Sequence, residues 1–488
     1  MKKNIHSSKL LVIILFTLFT TTITAQSNTV YNYSDLSSKY YKNKIDSLKK
    51  ILKAPKLYTK ETQKRYEEFW NDRLDAIYSG IRNNDFVHNT EIENYLAGIV
   101  NNIVANNKTL IPTAPLILLD RSASINAYTY GHWIIVINAG LIEYVQSKEE
   151  LTFIIAHELS HNILNHALNA DKSRAEWLTS KEYEASLKEI GNSKYQKLTQ
   201  LKKLITNFAF SRTKHSRFNE SSSDSLAIVL LKNSKVKYNA NWMLRLDSSD
   251  NFYKKELNKD ISAYFNDYNI SLSSNLFEKK SLGLSSKKFN IKDTTSLEDS
   301  LKTHPDCKQR YNSTLAKSEN FKETPINKNL TDISKKILLW NMFDNKSLTA
   351  CMYRIFTEKD MQNKDPWYDF MLFNTVYGFV YSSKTNKRFE AINIIPKEFT
   401  SKKYFQLQTM LEQIKTEELE TAYNTIGKNN FWNTLNNYEK ALKSFMIELN
   451  NNYNNSEKTL NKIVSTFQTD NGSSMYMEFA EHFSTKIK

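Results

Sequence analysis

Two histidines four positions apart with a glutamate directly after the first, His157-Glu158-Leu159-Ser160-His161, constrain this chain more than any other feature of its 488 residues. Residues i and i+4 lie one turn apart on a helix, so both imidazoles can reach a single ion from one face. The competing reading is a helix carrying two satisfied histidines, and the apolar flank Phe153-Ile154-Ile155-Ala156 suits both. Ser147-Lys148-Glu149-Glu150 has capping-box spacing, which predicts a helix starting there and running to about His166.

A catalytic zinc takes three protein ligands and keeps a fourth position open. A third histidine at reprolysin-like spacing is excluded because Leu164 and Ala167 stand where glycine and histidine are needed, and His166 is one position off. That argues for a glutamate from a second helix, and the stretch from Arg217 to Asp224, predicted to open a helix reaching Lys232, offers Glu220. Asp224 is four residues further on the same face, placed to accept the outer N–H of a metal-bound histidine. Taken without the upstream motif, Asp224 reads as part of a solvated acidic face. The expected site is therefore one Zn²⁺ per chain on His157, His161 and Glu220. Glu158 is its general base, because zinc lowers the pKa of a bound water from near 16 to about 7.

The first residues resemble a cleavable leader: Lys2 and Lys3, an apolar run from Leu10 to Phe19, then Ile23-Thr24-Ala25 before Gln26. An uncleaved anchor is the other reading, although the run is short of the about 20 residues a span needs. Export to the periplasm or the extracellular space is expected, with a soluble mature chain. The net charge of +15 favours anionic surfaces, including peripheral contact with a membrane, or simply a basic solvated exterior. Nothing resembles an arginine-rich stripe or nucleic-acid fold signature, so no nucleic-acid partner is expected. Cys307 and Cys351 are the only cysteines; a disulfide or two thiols are both compatible with an oxidising compartment.

Only nine glycines and seven prolines interrupt the chain, which points to helix. Ile92, Leu96, Ile99, Val100 and Ile103 recur at three and four, predicting a helix over Ile92 to Val104. Pro115 to Leu119 predicts a short buried strand, and Asn126 to Asn138 a hairpin or two adjacent strands with Tyr130-Gly131-His132 at the turn or a bulge. Asp171 to Phe210 is charged and helical in pattern; Asp247 to Asp299 is rich in Ser, Asn and Lys and suggests long surface loops or a flap. Leu330 to Lys488 is helical and aromatic-rich, with no convincing 34-residue repeat. The expected organisation is a leader at 1–25, a linker at 26–56, a catalytic domain at 57–325 and a helical domain at 326–488.

Four landmarks in order resemble the CAAX-prenyl-endopeptidase and HtpX-like family of zinc metallopeptidases, in its soluble exported form. They are Asn126-Ala127-Tyr128 leading to Asn138-Ala139-Gly140-Leu141, the His157 to His161 motif, Arg217 with Glu220 and Asp224, and Thr303-His304-Pro305 followed by Arg310. The likeness covers about Tyr66 to Arg310. It implies a gluzincin fold, α+β and mostly helical, with a small antiparallel sheet, zinc on two His and one Glu, and a helical C-terminal domain. It also marks His304 as a catalytic donor or gate, a role an ordinary loop histidine would fit equally. Ser223 replaces the family's usual alanine, and the spanning helices of membrane-embedded members are missing, so processing of prenylated peptides is not implied.

The expected activity is endoproteolysis of unfolded or misassembled proteins, with the substrate lying as an added strand along Asn126, Ala127 and Tyr128. The C-terminal domain is the candidate surface for an envelope protein partner. A zinc-binding chaperone or interaction module with latent or lost activity is the alternative, disfavoured by an intact Glu158; a hydrolase of a non-peptide substrate would share the ligands. His132, His166 and His215 read as ordinary structural histidines.

Overall fold

The computed structural model describes residues 42–43, 46, 53–83, 85–246, 252–278, 307–472 and 476–477. The expected leader, most of the expected linker, and Thr303, His304 and Pro305 lie outside the described residues.

Helix α1 (Lys60–Arg82) is followed by β1 (Phe86–Val87), α2 (Thr90–Asn106), β2 (Leu116–Asp120), β3 (Ala127–Gly131) and β4 (Ile134–Asn138). The strands form one sheet in the order β1-β2-β4-β3. It is mixed rather than wholly antiparallel as expected: β1–β2 and β3–β4 are antiparallel, but β2 and β4 are parallel, with Leu116 opposite Ile134 and Asp120 opposite Asn138. The chain crosses to the outer strand β3 before returning to β2 as β4, so the connection that a parallel pair requires is itself a strand.

All five residues of β4 are buried, which explains its unbroken apolar run. Ile135 and Ile137 face the core that holds α2, while Ile134 and Val136 face a second cluster with Tyr66, Trp70, Leu74 and Ile77 of α1. As the sequence predicts, α2 buries Ile92, Leu96, Ile99, Val100 and Ile103, and Asn89 caps it by accepting from Ile92 N at 3.0 Å.

After α3 (Ala139–Tyr144) comes α4 (Lys148–Ile163), in which nearly every residue from Glu150 to Asn162 is buried. Ser147 caps it, accepting from Glu150 N at 3.2 Å, but the reciprocal half of the capping box is missing. The Glu150 carboxylate instead takes Gln146 N and the Arg245 guanidinium. The helix stops at Ile163, short of the expected His166, where Asn165 adopts left-handed φ 55° and ψ 32°. Helices α5 (His166–Leu178), α6 (Lys181–Asn192) and α7 (Lys197–Asn233) follow. The sequence reads two helical stretches where α7 is one helix of 37 residues; it lacks a clear apolar stripe but contains no glycine or proline to break it.

Beyond α8 (Asn241–Leu246), the expected surface loop is only partly a loop. Residues 252–278 carry α9 (Ile261–Asn266) and bury Leu257, Ile261, Tyr264, Phe265 and Tyr268. Weak periodicity hid this, because short helical turns pack through aromatics: Tyr264 stacks on Phe356 with centroids 4.4 Å apart. Next are α10 (Cys307–Thr314), α11 (Lys328–Asp344), α12 (Leu348–Asp360), α13 (Trp367–Lys384), α14 (Arg388–Ile392), α15 (Lys402–Gln413), α16 (Thr416–Gly427), α17 (Asn437–Asn451) and α18 (Glu457–Asp470). Helix α13 is buried from Trp367 to Ser382 except at Asp369, as expected of a helix enclosed by others.

One buried apolar cluster runs without interruption from Val87 to Tyr476. Helix α11 lies on α3, and buried Arg121 donates to Asp344 at 2.9 Å across that contact. Among the described residues no helix is long and apolar enough to cross a membrane. Cys307 and Cys351 are buried and form no disulfide; burial pushes the Cys351 thiol up to about 12, so it stays protonated against Thr375.

Gly140 sits where β4 passes into α3, and a Cβ there would meet the Ala123 carbonyl oxygen at 2.3 Å. That neighbour is backbone and cannot swing aside. Gly140→Ala is therefore expected to destabilise the protein by about 1–3 kcal/mol. Thermal melting should show it; an unchanged melting temperature would mean this packing is wrong.

Candidate metal centre

Burial of α4 brings its His157–His161 face against α7, the helix that carries Glu220. Glu220 Oε2 lies 3.3 Å from His157 Nε2 and Glu220 Oε1 lies 3.4 Å from His161 Nε2. The two Nε2 atoms are 3.0 Å apart, and the three candidate ligand atoms lie within 4.8 Å of one another. Two imidazole lone pairs and a carboxylate converging in a buried space need a cation or a proton between them. Two nitrogens and an oxygen with room for a further ligand is also the donor set of a catalytic zinc site, so the residues fit that ion.

Asp224, one turn after Glu220, faces the other nitrogen of His157: Oδ1 is 2.8 Å from Nδ1. The separation is that of a strong pair, although the ring N–H direction falls off the oxygen, since Nδ1 meets no strict hydrogen-bond geometry. We read it as an ion-pair contact because both groups are buried and the distance is short. Arg310 of α10 completes the arrangement, donating from Nε to Asp224 Oδ2 at 2.8 Å and from Nη2 to Oδ1 at 2.6 Å. Its Nη1 lies 3.9 Å from Glu220 Oε2.

The titration of these groups follows from their contacts. Burial resists protonation of His157, but the carboxylates of Asp224 and Glu220 outweigh it and raise the imidazole to about 10 without a metal. Burial likewise opposes ionisation of Asp224, yet hydrogen bonds from Arg310 and the positive charge of His157 hold it below the usual carboxylate range.

Glu158 is buried beside His157 and lines a cavity of about 70 Å³ together with Asn126, Ala127, Leu141, Phe153 and Arg310. Asn126 and Ala127 thus stand beside the candidate site. Tyr128 shares the strand, but its side chain turns to the α1 cluster, its hydroxyl 3.4 Å from Asp120 Oδ2. Strand β3 is at the edge of the sheet and packs along α4. Asn162 fixes that contact, accepting from Trp133 N at 3.0 Å and donating to Thr129 Oγ1 at 2.8 Å and to the Glu158 carbonyl at 3.1 Å. Its role was not legible in sequence because the groups it joins come from the hairpin turn.

Of the remaining histidines, His132 is structural: it packs on Trp70 with centroids 3.8 Å apart, and burial lowers its pKa to about 4. His304 and the side chain of His215 lie outside the described residues. His166, by contrast, belongs to the centre, with Nδ1 3.0 Å from His161 Nδ1. Its position five residues past His161 gave no helical signal, because the chain turns between them.

No curated protein matches the chain. Residues 91–317 match the sequence model of peptidase family M48. The matched stretch encloses β2, β3, β4, α4, α7 and α10, and so every side chain of the centre. Families of this kind hydrolyse peptide bonds with zinc, in keeping with the His-His-Glu set. Over residues 91–317 the chain is similar to the zinc metallopeptidases of family M48.

Proposed function

We propose that the protein is an exported endopeptidase holding one zinc ion on His157, His161 and Glu220, with Glu158 as general base, acting on unfolded or misassembled polypeptides. The observation carrying this is the convergence of those three side chains, His157 and Glu220 buried and His161 half-buried, beside a cavity that Glu158 shares. When bound there, zinc would supply a Lewis acid for the peptide carbonyl and acidify a water to a pKa of about 7.

The chain's own groups would do the rest. An extended substrate would add to the free edge of β3, with Asn162 holding that strand in register with the Glu158 turn. The Glu158 carboxylate would take the proton of the attacking water and pass it to the leaving amine. Asp224, kept ionised by Arg310, would hold the His157 ring in place. The resemblance gives His304 the part of donor to the developing oxyanion.

Residues 26–488 and the Glu158→Gln variant should both bind about one zinc per chain, because Glu158 is not a ligand. Only the first should cleave unfolded casein, and a chelator should abolish it. If both bind zinc and neither cuts, the chaperone reading stands; if neither binds zinc, the ligand assignment fails. N-terminal sequencing of the secreted chain should begin at Gln26.

The titration of His157 gives a second expectation. Its pKa is raised from 6.5 to about 10 in the metal-free protein, so its protonated pairing stabilises the fold fully below pH about 6.5 and is lost as pH rises through about 10. At pH 7 an incoming zinc must displace that proton. Calorimetric zinc titrations in buffers of differing ionisation enthalpy should therefore report release of about one proton from this ring. Zinc uptake with no proton release would contradict a protonated His157.

A further inference from the structure

His166 sits where an unbroken helix would not put it. Five residues after His161, it would point about 140° away around a continuous helix. Helix α4 instead stops at Ile163, Asn165 takes the left-handed conformation that asparagine tolerates well, and α5 begins at His166. The turn folds the ring back onto His161, with centroids 5.0 Å apart and planes at 77°.

The available hydrogens set the direction of this contact. Two ring nitrogens 3.0 Å apart require one donor and one acceptor. Ser222 Oγ donates to the Asn219 carbonyl at 2.9 Å, so it meets His166 Nε2, 3.4 Å away, with a lone pair. The proton of a neutral His166 then belongs on Nε2, and its Nδ1 is the acceptor. Ser223 Oγ, 3.3 Å from that Nδ1, closes the remaining side. His161 must donate from Nδ1, leaving its lone pair on Nε2, the atom that faces Glu220 and His157.

We propose that His166 is a positioning residue for the metal centre: it accepts the outer N–H of His161, fixes that ring's tautomer, and is itself aimed by Ser222. The two histidine ligands are thus oriented by different chemistry, His157 by the ionised Asp224 and His161 by a neutral imidazole. The assignment rests on His157, His161 and Glu220 holding zinc.

The test compares zinc dissociation constants of the full chain and its variants by competition with a chromogenic chelator, alongside the melting temperature of each metal-free protein. His166→Phe keeps the ring volume and removes the acceptor; it should weaken zinc binding by roughly 10–100-fold. His166→Gln restores an acceptor and should recover most of that loss, while Ser222→Ala should weaken binding in the same direction by less. Metal-free melting should barely move. Should His166→Phe fail to fold, the glutamine and Ser222→Ala variants carry the comparison. Wild-type affinity in His166→Phe or Ser222→Ala, or a glutamine variant as weak as phenylalanine, would overturn the proposal. A wild-type chain that binds no zinc would remove the metal reading and this role together, an outcome separate from unaltered binding in the variants.

Discussion

The buried pairing of Arg310 with Asp224 is the contact on which the centre depends. Asp224, Glu220, His157 and Arg310 are all buried, and an unpaired charge in such a place is strongly destabilising. Arg310 meets Asp224 through two hydrogen bonds and approaches Glu220, while Asp224 meets His157. Each group thereby compensates another's desolvation, and α4, α7 and α10 are held at one spacing. Glu220 reaches the two histidines because Asp224, a turn along the same helix, is already fixed.

That arrangement also accounts for the burial of α4. A helix with polar residues at Glu150, His157, Glu158 and Asn162 would ordinarily keep one face in water. Here Glu150 pairs with Arg245, His157 with Asp224, and Asn162 with the β3–β4 hairpin. The helix can then serve as the central layer between the sheet and α7. The hairpin turn runs through Gly131, His132 and Trp133, all at positive φ, and the Asn162 amide and the Trp70 ring hold it there.

The helical region after residue 326 shares its apolar core with the sheet side of the molecule. Residues 252–278 contribute to that continuity, since Tyr264 stacks on Phe356 and Tyr268 hydrogen-bonds Asp369. The Arg121–Asp344 and Arg354–Glu143 pairs add charged contacts at the α3 side. The enclosed α13 gives this half its own axis, with Phe373 and Tyr377 packed against Tyr423 of α16.

Local spacing in the sequence determined the helix carrying His157 and His161, the second acidic helix, the hairpin and the amphipathic α2, because each depends on neighbours within one or two turns. His157 and His161 share a face whatever lies around them, and so do Glu220 and Asp224. Only the tertiary structure decided what those faces meet: that β2 and β4 run parallel, that α7 is continuous, that residues 252–278 fold onto the helical region, and that Arg310 closes on Asp224. His166 and Asn162 show the reason most clearly. Their partners are set by a left-handed turn at Asn165 and by a hairpin packed across α4, and neither geometry leaves a periodic trace in the chain.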